Sequence, residues 1–171
     1  RPYDPALPVE KKPYPGIRME HVSFGYQGRE AALRDVSLEI PKGKVTALVG
    51  LSGSGKSTIA SLLMRFYDWE KGRILLEGRD LVSLTPEELR RRVILVPQTV
   101  SLYSGTIREN LRMAAPSATD GELLEALDQV RLKEWVLSQP EGLDTFVGDA
   151  GGKLSGGQRQ KMGIARALLC R

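Results

Sequence analysis

The chain has 171 residues, of which 41% are hydrophobic, 27% charged and 6% aromatic. This balance is typical of a globular domain of ordinary size and differs from that of a disordered chain. With 25 Lys and Arg against 21 Asp and Glu, the net charge is +4. Such a charge is compatible with nucleic acid, an anionic membrane surface or phosphorylated ligands, and selects none of them.

The single cysteine and single histidine exclude several kinds of site. Cys170 cannot form a disulfide within the chain, which favours a reducing compartment, and zinc sites built on several His or Cys are excluded. A Ser-His-Asp triad would have to use His21, and the apolar runs are too short to span a bilayer. Because the sequence starts at Arg1 and stops at Arg171 within a helical pattern, we expect a piece of a larger protein.

The N-terminal half alternates between strand and helix patterns. Residues 1–16 contain five prolines and are predicted to form an extended linker. Period-two alternation or a short apolar run predicts a strand, and a 3.6-residue repeat predicts a helix. These patterns predict strands at Met19–Tyr26, Leu33–Ile40, Lys44–Val49, Arg73–Glu77 and Val93–Val96, and helices at Lys56–Tyr67 and Pro86–Arg92. The alternation indicates an α/β architecture with a largely parallel sheet.

After Gln98 the pattern is helical. Thr106 is predicted to cap one helix, and either Thr119 or Asp120 to cap a second. Two further helices are predicted at Glu134–Ser138 and from Gln158 to Leu169. The pattern therefore predicts a helical subdomain in this part of the chain.

A phosphate-loop pattern, G-x-x-x-x-G-K-[ST], is matched by Gly50-Leu51-Ser52-Gly53-Ser54-Gly55-Lys56-Ser57. Its glycines let successive backbone N–H groups curl around an anion, and the helix that follows adds the positive end of its dipole. Lys56 is predicted to reach the β- and γ-phosphates, Ser57 to bind Mg²⁺ and Thr58 to add a phosphate contact. Since a predicted buried strand precedes the motif and a helix follows it, we predict a nucleoside triphosphate site. The loop alone selects neither the nucleotide nor the reaction.

A second pattern typical of an anion-binding site lies at the start of the last predicted helix, at Leu154-Ser155-Gly156-Gly157-Gln158. Taken alone, it also fits an ordinary helix cap, with Ser155 followed by permissive glycines. Together with the phosphate loop it resembles the nucleotide-binding domain of ABC transporters, whose signature motif is LSGGQ. The resemblance extends from Ile17 to Arg171. It implies a P-loop NTPase (RecA-like) core with an antiparallel β edge and an α-helical subdomain that carries the signature.

Further segments are similar to the exporter branch of that family. Tyr26 resembles the aromatic residue that stacks on adenine, and Gln98 resembles the Q-loop glutamine that touches Mg²⁺ or the attacking water. Lys56 and Gln98 are thus the residues to which the resemblance gives catalytic roles. Leu102–Leu111 resembles the exporter segment after the Q-loop, and Thr145–Gly151 resembles the exporter x-loop, with Asp149 where Glu is usual.

The resemblance also implies partners, cofactors and a location. In that family two such domains, identical or different, face each other head to tail. ATP and Mg²⁺ lie between the phosphate loop of one domain and the signature of the other. Ser155, Gly156, Gly157 and Gln158 would therefore act on ATP held by the second nucleotide-binding domain. A transmembrane domain of the same chain would precede the linker and place this domain at the cytoplasmic face of a membrane, with no nucleic acid partner.

On this basis we divide the chain into four parts. Residues 1–16 are the linker, 17–98 the ATP-binding core, 99–157 the helical and signature subdomain, and 158–171 the start of the return to the core.

The family's catalytic Walker B glutamate and switch histidine would lie after Arg171, in the part of the core that is missing. Ile74–Glu77 precedes the signature and is interpreted as a plain strand, as is the segment around His21. We expect the longer protein to hydrolyse ATP and drive export, and this fragment alone to lack hydrolysis. Three alternatives stay open: a soluble ABC-type ATPase that acts on DNA or ribosomes, with Arg90–Arg92 as its footprint, a P-loop kinase, and a truncated chain that only binds nucleotide.

Overall fold

The structure is a computed structural model that describes residues 4, 6–7, 14–28 and 30–170. Most of the predicted linker lies outside the described residues. The chain divides into two compact units, Arg1–Val93 and Ile94–Arg171, which are described in turn.

The first unit is built on a four-stranded antiparallel sheet with the strand order β2-β1-β3-β4. Strand β1 pairs with both β2 and β3, and β3 pairs with β4. The strands are β1 (Gly16–Gly25), β2 (Ala31–Pro41), β3 (Lys71–Leu76) and β4 (Arg79–Asp80), and the helices are α1 (Lys56–Leu63) and α2 (Pro86–Arg92). A 3₁₀ turn lies at Leu81–Ser83. The antiparallel β edge and the plain strand at Ile74–Leu76 are thereby confirmed.

Three register shifts interrupt the pairing of β1 with β2. The register runs from Met19 opposite Leu38 to Val22 opposite Val36, which leaves one extra residue in β1. His21 lies in that bulge with φ 51°, so its interpretation as a strand residue is confirmed. Its Nδ1 lies 2.8 Å from Oδ1 of Asp35. Because a bulge shifts the alternation of side chains, residues 19 and 22 can both be buried.

The two predicted parallel strands are not formed. Residues 44–50 and 93–97 have no regular secondary structure, and Val45 and Val49 are 100% and 93% exposed. The predictions of strands at Lys44–Val49 and Val93–Val96, and of a largely parallel sheet, are therefore wrong for the described residues. An apolar run becomes a buried strand only when neighbouring strands satisfy its backbone hydrogen bonds, and every ladder described here is antiparallel and excludes these segments.

Helix α1 is shorter than the sequence pattern predicts. It ends at Leu63 with Met64 as its C-cap, and Arg65 follows with φ 52°. Phe66, predicted on the apolar face of the helix, is instead 59% exposed. The apolar face is formed by Ile59 and Leu62, which pack into the core of this unit.

The second unit is helical. Its helices are α3 (Ile107–Arg112), α4 (Asp120–Gln129), α5 (Lys133–Ser138) and α6 (Gly156–Leu169), with 3₁₀ turns at Gly142–Asp144 and Asp149–Gly151. Leu111, Leu127 and Met162 are fully buried in one core shared by α3, α4 and α6. Thr106 and Thr119 cap α3 and α4, which confirms the two predicted caps. Nowhere in the described ranges is a helix both long and apolar enough to cross a membrane.

Candidate functional site

The phosphate-loop segment is an exposed turn whose glycines are required by its backbone. The Ser54 amide donates to the Leu51 carbonyl at 3.2 Å, and Gly55 has φ 89°, which favours glycine. A Cβ on Gly55 would stand 2.6 Å from Leu33 Cδ2 and 2.9 Å from the Ala32 carbonyl oxygen. The chain's own packing therefore requires glycine at the start of α1.

The Lys56 ammonium lies inside this turn. Its Nζ donates to the carbonyl oxygens of Gly50 at 2.8 Å and Leu51 at 2.6 Å, and to Ser54 Oγ at 3.0 Å. A Cβ on Gly50 would stand 2.7 Å from Ser54 Oγ and 3.9 Å from Lys56 Nζ. The glycine thus keeps open the concave side of the loop, where the positive charge is held.

The first turn of α1 presents free backbone donors. Gly55 is the N-cap and supplies no side chain, and the first intrahelical bond runs from the Ile59 amide to the Gly55 carbonyl at 3.0 Å. Within the described part of the chain, the amides of Lys56, Ser57 and Thr58 have no acceptor. Free amides at the positive end of a helix, beside an ammonium, form a site for an anion of several negative charges.

The same turn has a ligand that suits a divalent cation. Ser57 is exposed. Its hydroxyl oxygen is of the hard type that Mg²⁺ accepts beside phosphate oxygens. The residues at this end of α1 therefore fit Mg²⁺ as well as phosphate.

Tyr26 lies next to the phosphate loop and is half-buried. Its hydroxyl oxygen is 3.2 Å from Thr58 Oγ1, and the Thr58 side chain is 6% exposed. The Thr58 hydroxyl is therefore engaged by Tyr26, which leaves its backbone amide for the predicted phosphate contact. The structure also brings Tyr67 against Tyr26, with ring centroids 5.2 Å apart. No sequence pattern indicated this role for Tyr67, because the residue falls at the end of the longer helix predicted over Lys56–Tyr67.

The signature segment begins α6 with a complete capping box. Ser155 Oγ accepts the Gln158 amide at 3.2 Å, and Gln158 Oε1 accepts the Ser155 amide at 2.9 Å. The amides of Gly156 and Gly157 have no acceptor among residues 4, 6–7, 14–28 and 30–170. A Cβ on Gly157 would meet nothing within 4 Å, so the packing of this chain does not require glycine there.

Gln98 is exposed in a segment of the second unit without regular structure. Its predicted contact with Mg²⁺ or water stays a prediction. The phosphate-loop residues and Tyr26 belong to the first unit, and Gln98 and the signature belong to the second.

Two segments that resemble exporter motifs, Leu102–Leu111 after the Q-loop and the x-loop at Thr145–Gly151, lie side by side. The Val147 amide donates to the Gly105 carbonyl at 2.9 Å, and the Ile107 amide donates to the Thr145 carbonyl at 3.0 Å. Asp149, shorter than the glutamate usual in the family, accepts a hydrogen bond from Ser104 at 3.0 Å. The sequence did not predict this pairing, because the two segments are far apart along the chain.

A polar network around the buried side chain of Asn110 joins α6 to the segment that follows Gln98. Arg166 donates to the Asn110 carbonyl at 2.8 Å, to Asn110 Oδ1 at 2.6 Å and to the Ser101 carbonyl at 2.8 Å. Asn110 is 1% exposed and donates to the Tyr103 carbonyl at 2.9 Å. Burial lowers the pKa of the Arg166 guanidinium below its usual value. Asn110 lies in the Leu102–Leu111 segment, but no sequence pattern linked it to Arg166, because only the packing of α3 against α6 brings the two together.

Comparison with known proteins gives the class of this chain. The ABC transporter family matches residues 33–171, which include both the phosphate loop and the signature. The chain therefore belongs to the ABC transporter family and has its P-loop NTPase fold. Membership implies ATP binding and, for the family, ATP hydrolysis coupled to transport.

Individual relatives are transporters or export proteins by name. The chain is 46% identical over 155 residues to the mitochondrial iron-sulfur clusters transporter ATM1 of Debaryomyces hansenii, covering 91% of this chain and 22% of the relative. It is also 46% identical over 155 residues to the putative multidrug export ATP-binding/permease protein YgaD of Bacillus subtilis, covering 90% of this chain and 27% of the relative.

A solved structure has the same fold. It is described as a bacterial Atm1-family ABC exporter with ATP bound, and it matches with a TM-score of 0.87 and 39% sequence identity. The match covers 100% of this chain and 29% of that one. The chain thus spans less than a third of the length of each of these proteins.

Proposed function

We propose that this chain is the ATP-binding part of an ABC exporter. The observation that carries the proposal is the start of α1, where the amides of Lys56, Ser57 and Thr58 lack acceptors among the described residues and lie beside the Lys56 ammonium. A triphosphate supplies the negative charge and the acceptor oxygens that this end of the helix lacks. ATP is the nucleotide that the family binds.

Each group at the site has a defined part in binding. Lys56 holds the β- and γ-phosphates, the Ser57 hydroxyl holds Mg²⁺, and Gln98 is the second oxygen ligand predicted for the metal. Bound Mg²⁺ neutralises charge on the phosphate oxygens. Tyr26 provides the aromatic ring for the adenine, and its link to Thr58 places that ring beside the phosphate loop.

The signature segment acts on ATP held by a second nucleotide-binding domain. The amides of Gly156 and Gly157 are free, and Ser155 keeps its hydroxyl hydrogen for donation while Oγ accepts from Gln158. Glycine at both positions is not required by the chain itself, and it allows another molecule to approach the backbone closely. This supports a head-to-tail dimer in which the signature completes the partner's site.

Export is favoured over action on nucleic acid. The relatives described above are transporters or export proteins by name. The basic run of α2 is partly neutralised, because Arg90 pairs with Glu87 at 3.3 Å and Arg92 pairs with Glu77 at 3.4 Å. In the longer protein we place the domain at the cytoplasmic face of a membrane, attached to a transmembrane domain.

Hydrolysis belongs to the longer protein in this proposal. The printed sequence contains no apolar run followed by Asp-Glu, the pattern that supplies the family's catalytic glutamate. We expect the 171-residue chain to bind Mg·ATP and to release no phosphate from it.

The test is titration of the chain with Mg·ATP by calorimetry. Lys56→Ala should weaken binding about 100-fold, since it removes charge-assisted hydrogen bonds to two phosphates, each worth about 1.5–3 kcal/mol. Lys44→Ala, at an exposed lysine outside the loop, is the matched control and should bind as the wild type does. Equal affinity of Lys56→Ala and wild type would overturn the phosphate-loop assignment.

A second test separates binding in cis from action in trans. Ser155→Arg should leave ATP binding by the single chain unchanged and block ATP-dependent dimerisation of the longer protein, measured by light scattering. Loss of ATP binding by the isolated monomer of this variant would show that the signature does not act in trans.

A further inference from the structure

Three aromatic rings form a cluster on the first unit, which we call the Tyr26 cluster and which consists of Phe24, Tyr26 and Tyr67. The Tyr26 ring meets Phe24 at a centroid distance of 4.9 Å and an interplanar angle of 81°. It meets Tyr67 at 5.2 Å and 86°. Phe24 and Tyr67 are themselves 5.7 Å apart, so each ring contacts the other two.

The Tyr26 ring is held at its other end by a polar contact. Its hydroxyl oxygen lies 3.2 Å from Oγ1 of Thr58, in the first turn of α1. Thr58 is buried within the helix, so this contact links the ring to the residue that directly follows the phosphate loop. The two edge-to-face contacts fix the rotation of the ring about that link.

The members of the cluster differ in what else they do. Phe24 is a core residue, 4% exposed, and its packing against the sheet explains its presence. Tyr67 is 46% exposed and follows α1 after its C-cap. Tyr67 lies at the surface, and the observed contacts of its side chain are those with the other two rings.

We infer that Tyr67 is a positioning residue for the base of the bound nucleotide: its ring holds that of Tyr26 in the orientation that stacks on the base. The inference rests on the proposed function, because it needs Tyr26 to contact the base. A ring held in place before binding loses less conformational freedom when the base arrives. Tyr67 therefore contributes to affinity for the base and contributes nothing to affinity for the phosphates.

The experiment compares two ligands, Mg·ATP and Mg·tripolyphosphate, which share the phosphate chain and differ in the nucleoside. Tyr67→Ala should weaken ATP binding about three- to tenfold, the range expected for loss of an aromatic pair. Its affinity for tripolyphosphate should stay within about twofold of wild type. Tyr67→Phe keeps the ring and should bind both ligands as the wild type does.

Two more variants separate positioning from folding. Tyr67→Leu keeps an apolar side chain without a ring and should show the same ATP-selective loss as Tyr67→Ala. Phe66→Ala removes the neighbouring aromatic side chain, which is 59% exposed, and should change neither affinity. Unchanged tripolyphosphate binding also reports that the phosphate loop of each variant is folded.

The outcomes distinguish this inference from the proposed function. If wild type binds ATP and tripolyphosphate, and Tyr67→Ala and Tyr67→Leu weaken both equally or neither, the positioning role of Tyr67 is overturned while the ATP site stands. If wild type binds neither ligand, or Lys56→Ala binds both as tightly as wild type, the proposed function is overturned and the inference with it.

Discussion

The two helices that begin at glycine-rich segments, α1 and α6, use their glycines differently. At α1, Gly55 has φ 89° and a Cβ on it would stand 2.6 Å from Leu33 Cδ2, so the fold of this chain excludes a side chain there. At α6, a Cβ on Gly157 would meet nothing within 4 Å. The packing of the described residues thus requires the first glycine and does not require the second, for which the proposed contact with a second nucleotide-binding domain would account.

The N-terminal caps of α1 and α6 also differ. Helix α1 has no side-chain cap and leaves three amides free, whereas Ser155 and Gln158 cap α6 reciprocally and leave two. This difference agrees with the proposed function, in which the free amides of α1 meet a ligand bound by their own chain and those of α6 meet one only in a complex.

Among the substitutions that test this contrast between the helices, Gly55→Ala should have the largest effect. Alanine at φ 89°, with its Cβ 2.6 Å from Leu33 Cδ2, should destabilise the chain by about 2–3 kcal/mol and weaken Mg·ATP binding at least about tenfold. Urea unfolding and calorimetry measure the two effects. Gly43→Ala is the control, with φ 71° in open space, and should cost about 1 kcal/mol and leave binding intact. Wild-type affinity in Gly55→Ala would remove the contrast between the helices.

In the single chain, Ser155→Ala should have a smaller effect, confined to stability. Loss of the cap should cost about 1 kcal/mol in urea unfolding, and ATP binding by the single chain should not change. Thr119→Ala removes an equivalent cap from α4 and should cost a similar amount. A drop in single-chain ATP affinity for Ser155→Ala alone would place the signature in the same site as the phosphate loop.

Gly157→Ala should change stability in the opposite direction from Gly55→Ala. The site is open, so replacing glycine within the first turn of α6 should stabilise the chain by about 0.5 kcal/mol. ATP-dependent dimerisation of the longer protein should weaken, because the added methyl group lies where the partner's ligand approaches. Unfolding midpoints and light scattering measure these outcomes, and unchanged dimerisation would count against a close approach at this glycine.

The smallest effect concerns acid stability of the second unit. The Arg108 guanidinium donates to both carboxylate oxygens of Asp144, at 2.9 and 3.1 Å, and holds the pKa of Asp144 below its usual value of 3.8. A carboxyl whose pKa is lower in the folded state than in the unfolded state stabilises the fold at pH values above its unfolded-state pKa. That stabilisation is lost as the pH falls through its folded-state pKa.

Asp144→Asn should therefore lower the urea midpoint slightly near neutral pH and remove part of its fall below about pH 4. Asp128→Asn, at an exposed acid on α4, is the matched control and should keep the acid dependence of wild type. An unchanged profile for Asp144→Asn would show that this ion pair is not coupled to folding.

Local patterns were sufficient for the helices and the antiparallel strands. Thr106, Thr119 and Ser155 each cap a helix where a hydroxyl residue precedes a helical repeat. The phosphate loop could be predicted because its chemistry depends on contiguous residues, and its match to the family agrees with that. The segments 44–49 and 93–96 could not, because an apolar run does not specify whether neighbouring strands will pair with it.

The sequence alone determined the contiguous elements: the turn that holds Lys56, the caps of the helices and the family to which the chain belongs. Tertiary structure decided which distant residues meet. The packing of Tyr67 on Tyr26 and of Arg166 on Asn110 depends on how the chain turns after α1 and how α3 lies on α6. Contacts within a motif follow from bond geometry and hydrogen bonding over a few residues, whereas contacts between elements depend on the packing of a whole core.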